Sequence, residues 1–249
     1  MVIVKMRAQM IPLYEPNQSF NGHHCLKRQE ASKQFLFKKK KKNYEKIFIN
    51  HSFSITLDCG ISIVGPSDHV IGEKISKPHN FPWIVVLLNA GAIHCGGALI
   101  NDRYILTAGH CVKWTKAKDV TVGLGIHDVD DPNDGYIVPI DKMILHENFT
   151  SHIIHDNNDI ALIKLKNLIK YDDHVQPICF PNKDAKYTGQ KVKVTGWGAI
   201  AVNGATSKFL RETNLNVLSM DSCKNTSIGK HLTNSVICAY NDNTDACQV

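Results

Sequence analysis

Residues 81–100 read FPWIVVLLNAGAIHCGGALI. Two β-prone runs, Trp83–Leu88 and His94–Ile100, stand on either side of turn residues. The same texture continues outward along the chain. Tyr104–Thr107, Val120–Leu124, Tyr136–Leu145, Ile160–Leu165, Val192–Thr195, Leu210–Leu218 and Val236–Ala239 are further runs of this kind, with Gly, Pro, Asn and Asp between them. Many short strands punctuated in this way predict an all-β barrel or sandwich. Helix is expected only over Ala108–Val112 and Met220–Lys224, about one turn each. No internal repeat of fixed period is present.

The bulk properties agree with such a domain. At 249 residues, 43% hydrophobic and 21% charged, the chain can bury a sizeable core. Its 16 Gly and 9 Pro exclude a collagen-like chain, and its apolar content excludes wholesale disorder. No apolar run approaches the ~20 residues of a membrane-spanning helix. The formal charge of +6 has a local origin. Residues 1–58 hold 11 Lys/Arg against 4 Asp/Glu, whereas the remainder holds 18 against 19. The basic pI therefore gives no support to a nucleic-acid-binding domain.

Those first 58 residues differ from the rest, showing neither a strand nor a helix period and carrying a five-lysine run, Lys38–Lys42. Such a run reads as a solvated, disordered stretch. The opening Met-Val-Ile-Val-Lys is too short an apolar segment for an export signal, which needs ~7–15 residues. The eight cysteines point the other way. Cys25, Cys59, Cys95, Cys111, Cys179, Cys223, Cys238 and Cys247 include no CxxC pair, and their wide spacing reads as disulfides formed in an oxidising compartment. Asn-x-Ser/Thr acceptors at Asn17, Asn50, Asn148 and Asn225 fit a secreted protein.

Two segments carry chemistry. In Leu106-Thr107-Ala108-Gly109-His110-Cys111 a histidine ends a strand beside a cysteine sixteen residues after Cys95. Imidazole is the side chain best suited to proton transfer near neutral pH, although a histidine alone also reads as structural. In Asn157-Asn158-Asp159-Ile160-Ala161-Leu162-Ile163-Lys164-Leu165 an aspartate opens an apolar strand. If buried, its carboxylate needs a partner, and a histidine N–H would serve while orienting the ring as a base. Alone, the same residue also reads as a turn cap.

Taken together the motifs resemble the chymotrypsin/trypsin-like serine endopeptidases (peptidase S1). Phe81-Pro82-Trp83-Ile84-Val85, Cys95-Gly96-Gly97-Ala98-Leu99-Ile100 and Thr107-Ala108-Gly109-His110-Cys111 are similar to that family's first strand, its next motif and its catalytic-histidine motif. Asn158-Asp159-Ile160-Ala161-Leu162 is similar to its catalytic-aspartate motif. Val175-Gln176-Pro177-Ile178-Cys179, Thr195-Gly196-Trp197-Gly198, Ile237-Cys238-Ala239 and Asp245-Ala246-Cys247-Gln248 follow in the family's order. The resemblance implies two antiparallel β-barrels with the site between them, in a peptidase domain over 70–249 preceded by a basic, propeptide-like extension over 1–69. It also implies the bridges Cys95–Cys111, Cys223–Cys238 and Cys59–Cys179, leaving Cys25 and Cys247 without family partners. His110 and Asp159 would be catalytic, and Asp245 would select Lys or Arg by charge pairing.

Some features depart from the pattern. The family's stretch continues as Gly-Asp-Ser-Gly-Gly-Pro, whose Ser is the nucleophile, whereas here Val249 follows Gln248. The resemblance therefore implies an incomplete second barrel and a chain without nucleophile or oxyanion hole, expected to be inactive as written. The alternative is a non-catalytic secreted homologue acting as a binding or regulatory module. The family's mature N-terminus would align with Val70-Ile71-Gly72-Glu73, yet the preceding residue is His69 rather than Arg or Lys. The acidic stretch Asp128, Asp130, Asp131 and Asp134 reads as a solvated turn, because Ile126 stands where a first Glu calcium ligand is expected and Pro132 breaks an EF-hand spacing. His23-His24-Cys25 likewise reads as no metal site. No metal or cofactor is expected. Protein or peptide substrates or inhibitors are the expected partners, outside the cell, with no nucleic acid or membrane.

Overall fold

The computed structural model describes residues 2–4, 11–12, 59–62, 64, 73–152, 156–182, 185–199, 204–226, 229–233 and 235–241. Cys25, Lys38–Lys42, Val70–Gly72, Asp245 and Cys247 lie outside the described residues. In chain order the strands begin with β1 (Val2–Val4), β2 (Ile11–Pro12), β3 (Lys74–Ile75), β4 (Ile84–Asn89), β5 (Ala92–Leu99) and β6 (Tyr104–Thr107). Helix α1 (Gly109–Lys113) precedes β7 (Val120–Leu124), β8 (Tyr136–Leu145), β9 (Thr150–Ser151), β10 (Asp156–Asn157) and β11 (Ala161–Leu165). The remainder is β12 (Lys191–Gly196), β13 (Arg211–Val217), α2 (Met220–Lys224) and β14 (Ile237–Tyr240). The runs expected at Tyr104–Thr107, Val120–Leu124, Tyr136–Leu145 and Met220–Lys224 have these same bounds, and the others differ by one or two residues at one or both ends.

Six strands close a barrel in the order β11-β6-β5-β4-β7-β8, all neighbours antiparallel. Closure leaves this sheet no open edge. Along β11 the residues Ala161, Ile163 and Leu165 are buried while Leu162 and Lys164 between them are partly exposed, the two-residue period of a strand with one face inward. Val85, Leu87, Leu99, Ile105, Val122, Leu124 and Ile163 are fully inaccessible and form the barrel's interior, while Val86, equally buried, points to the opposite face of β4. Trp197 and Leu210, from the second half of the chain, pack in the same cluster. The second half builds an open sheet of order β1-β14-β13-β12-β2, with β3 against β13. Its own core is smaller: Val192, Val194, Leu215, Val217 and Ala239. Val2–Val4 and Ile11–Pro12 pair with β14 and β12 although no period in the sequence marks them as strands. An unpaired sheet edge accepts any short extended segment that can meet its hydrogen bonds.

Among the described residues three disulfides are present, Cys59–Cys179, Cys95–Cys111 and Cys223–Cys238. Asn148 and Asn225 are exposed. In the acidic stretch, Asp134 Oδ2 accepts from the backbone N–H groups of His127 and Asp128, Asp128 accepts from Asp130, and Asp131 accepts from Asn133. These carboxylates build a turn. None of the described helices is long and apolar enough to cross a membrane.

His127 joins the two halves. Its carbonyl accepts from Trp197 Nε1 at 3.1 Å and from the Leu210 backbone at 2.8 Å. The ring is buried, and its Nδ1 has no hydrogen-bond partner among the described residues. Burial holds this imidazole below its ordinary value, reinforced by His79 and opposed by Asp134 and Asp128. In the unfolded chain it returns to ~6.5. Below that pH the unfolded state binds a proton that the folded state resists, so stability is retained above ~6.5 and falls as pH drops toward the folded value. The urea midpoint is expected to decline between about pH 7.5 and 5, and less steeply in His127→Gln. Equal slopes in the two proteins would show that His127 is not the group responsible.

Candidate active site

β5 and β6 run side by side, and the chain turns into α1 directly after Thr107. Thr107 Oγ1 donates to the Gly96 carbonyl at 2.8 Å, fixing the strand end beneath the helix. The Cys95–Cys111 bridge ties α1 back to β5. Gly109 allows a close approach: a Cβ there would lie 2.7 Å from Phe149 Cδ2 and 2.9 Å from Leu145 Cδ1, so these side chains would have to shift. This close approach lets the first residues of α1 lie against the end of β8 and positions His110 at the barrel rim.

Strand register brings the aspartate to it. In the β11–β6 pair, Ala161 lies opposite Thr107. Asp159, two residues before Ala161, and His110, three after Thr107, therefore emerge at the same end of the barrel. Asn158 precedes the aspartate in the left-handed region at φ 50°, which turns the chain sharply into β11. Asn158 Nδ2 donates to the Asn148 carbonyl at 2.9 Å, and its backbone N–H reaches Ser235 Oγ at 3.4 Å. The loop carrying Asp159 is thus fastened to the barrel on one side and to the second half of the chain on the other.

Asp159 and His110 make two contacts. Asp159 Oδ1 accepts the His110 backbone N–H at 2.8 Å, and Oδ2 lies 2.8 Å from His110 Nδ1. The carboxylate side chain is 2% exposed and the imidazole 48%. A buried carboxylate beside Nδ1 favours the neutral tautomer with its proton on Nδ1 and directs the Nε2 lone pair away. Such a group can take a proton from a hydroxyl held at Nε2. The neighbour of Nε2 is Cys111 Sγ at 3.5 Å, and no hydroxyl among the described residues is its hydrogen-bond partner.

One neighbour was not singled out by sequence reasoning. Asp156, half-buried on β10, supplies a carboxylate oxygen such that one ligand atom each of His110, Asp156 and Asp159 lie within 4.8 Å of one another. The Asp-x-x-Asp spacing was the available signal. Cys95 and Cys111 are also near His110, but their sulfurs are joined to each other. Asp245, expected in a specificity pocket, lies outside the described residues.

A family model described as Trypsin matches residues 70–248. The chain is 31% identical over 197 residues to the clotting factor G beta subunit of Tachypleus tridentatus, covering 72% of this chain and 62% of that protein. It is 31% identical over 201 residues to a venom serine protease of Polistes dominula, covering 77% and 70% respectively. Among solved structures it resembles neuropsin, a serine protease expressed in the limbic system of mouse brain. That match has a TM-score of 0.64 and 30% identity, with 72% of this chain and 78% of the other covered. The chain therefore spans less than two thirds of the length of the clotting factor subunit.

Proposed function

Because the chain belongs to the trypsin family of serine proteases, matched over residues 70–248, we propose that His110 and Asp159 are the base and its orienting carboxylate in a trypsin-like endopeptidase centre. The observation that carries this reading is the double contact of one buried carboxylate with the backbone N–H and the Nδ1 of a half-exposed histidine. In serine peptidases that arrangement holds the ring in the tautomer needed to deprotonate an attacking hydroxyl, and then stabilises the imidazolium formed. Asp245 is proposed to recognise Lys or Arg side chains of protein substrates. The three disulfides support an extracellular, oxidising location.

A base without a nucleophile does not complete the reaction. No hydroxyl among the described residues reaches Nε2, and the 249 residues contain no Gly-Asp-Ser-Gly-Gly motif. The polypeptide of these 249 residues by itself is therefore proposed to be inactive. The pure chain is expected to stay unlabelled by a fluorophosphonate probe, and labelling of it would overturn this. A longer reading frame in which Gln248 runs into Gly-Asp-Ser-Gly-Gly is expected to give a product that labels and cleaves after Lys or Arg. A longer form with a substituted serine that binds substrates without cleaving them would favour the regulatory homologue instead.

A further inference from the structure

We propose that His110, Asp156 and Asp159 form a binding site for a divalent ion of the zinc type, and that its occupation switches off the histidine as a base. The first half of this statement stands on the donor set alone. The second rests on the peptidase reading above.

The donors are mixed, one imidazole nitrogen and two carboxylate oxygens, and all three ligand atoms fall within 4.8 Å of one another. Zinc takes such ligands at ~2.0–2.2 Å, commonly three from the protein with the fourth position open. In a tetrahedral site two ligand atoms at those lengths sit ~3.3–3.6 Å apart. Nδ1 of His110 and Oδ2 of Asp159 are 2.8 Å apart, so an ion that replaces the proton between them must spread them by ~0.5–0.8 Å. Asp156, its carboxylate oxygen within 4.8 Å of the other two ligand atoms, must move closer to complete the set.

Charge and access favour the same site. Two carboxylates stand beside the imidazole and attract a cation. The ring is 48% exposed, which gives an ion an entry path, while the Asp159 carboxylate behind it is 2% exposed. Imidazole with carboxylates suits zinc and its late first-row neighbours better than calcium, which prefers six or more oxygen ligands.

The consequence follows from the valence of the ring. A neutral imidazole has one lone pair. If the ion takes Nδ1, the ring proton moves to Nε2 and no lone pair faces the attacking hydroxyl. If it takes Nε2, that lone pair is consumed directly. Either way proton abstraction stops, and no other bond is made or broken.

Binding is testable without peptidase activity, so failure of this proposal is distinguishable from failure of the functional reading. Isothermal titration of the 249-residue chain with zinc chloride is expected to show one binding event that weakens at least about tenfold in both Asp156→Asn and His110→Gln. An event retained at full affinity in Asp156→Asn would overturn the site. Where a variant does not fold, the unsubstituted chain decides. Paramagnetic Co²⁺ is expected to broaden the NMR signals of His110, Asp156 and Asp159 first. Broadening centred on the loop histidines His146 or His152 instead would place the ion elsewhere and sink the proposal.

Discussion

Glu212→Leu is expected to lose about 3–5 kcal/mol of unfolding free energy, because it leaves buried ammonium charge without its carboxylate. Glu212 lies in β13 and is 3% exposed. Its two oxygens reach Lys74 Nζ at 3.1 Å and Lys193 Nζ at 3.3 Å. Lys193 is itself buried in β12, its ammonium 5.5 Å from the Phe81 ring. The cluster thus joins the open sheet to the segment leading into the barrel. Removing the Glu212 carboxylate costs far more than the net worth of the group, since it was offsetting the desolvation of buried Lys193. A loss of that size is a large part of the ~5–15 kcal/mol typical of a whole domain. Urea unfolding should show the midpoint fall sharply. The triple variant Lys74→Met, Lys193→Met, Glu212→Leu should recover to within about 1 kcal/mol of the parent or exceed it, since buried ionic sets can be exchanged for apolar packing at no cost. A single variant that loses less than about 1 kcal/mol, or a triple no better than the single, would rule out this role for the cluster.

Removing the Cys95–Cys111 bridge as a pair of alanines is expected to cost about 3 kcal/mol through the freedom returned to the unfolded chain. The bridge closes sixteen residues of sequence separation. It has a second effect at the site. Helix α1 has only five residues, too few to hold its own shape without tertiary support. Once untied from β5, its first turn can move, and the His110 N–H that Asp159 accepts becomes open to solvent. Amide exchange at His110 should therefore accelerate by more than at the Ile105 and Leu106 amides of neighbouring β6. Uniform acceleration across all three would mean that the bridge stabilises the barrel without positioning the histidine.

Much of the barrel was legible in the sequence. Tyr104–Thr107, Val120–Leu124 and Tyr136–Leu145 are dense in β-branched and aromatic residues and bounded by turn residues, so local preference and tertiary demand agree there. Val192–Thr195 was found as a strand, but alternation would turn Lys193 toward water. Its encounter with Glu212, nineteen residues away, helps make that burial tolerable. Asp156 escaped for a similar reason. Its proximity to His110 arises from the left-handed turn at Asn158 and from the pairing of Asp156 with Ser151, neither of which apolar periodicity reports. His127 reads as an ordinary histidine, and its burial comes from Trp197 and Leu210 folding back onto its carbonyl.

The order of short apolar runs and the motifs around Cys95, His110 and Asp159 were enough on their own to determine the all-β class and the family, because strand preference and motif spacing are written locally. What the tertiary structure alone decided is the meeting of groups far apart in the chain. His110 and Asp159 are forty-nine residues apart and touch because Ala161 pairs with Thr107 across the barrel. Lys74, Lys193 and Glu212 share charge for the same kind of reason. Register and closure are properties of the whole sheet, and they set which side chains become neighbours.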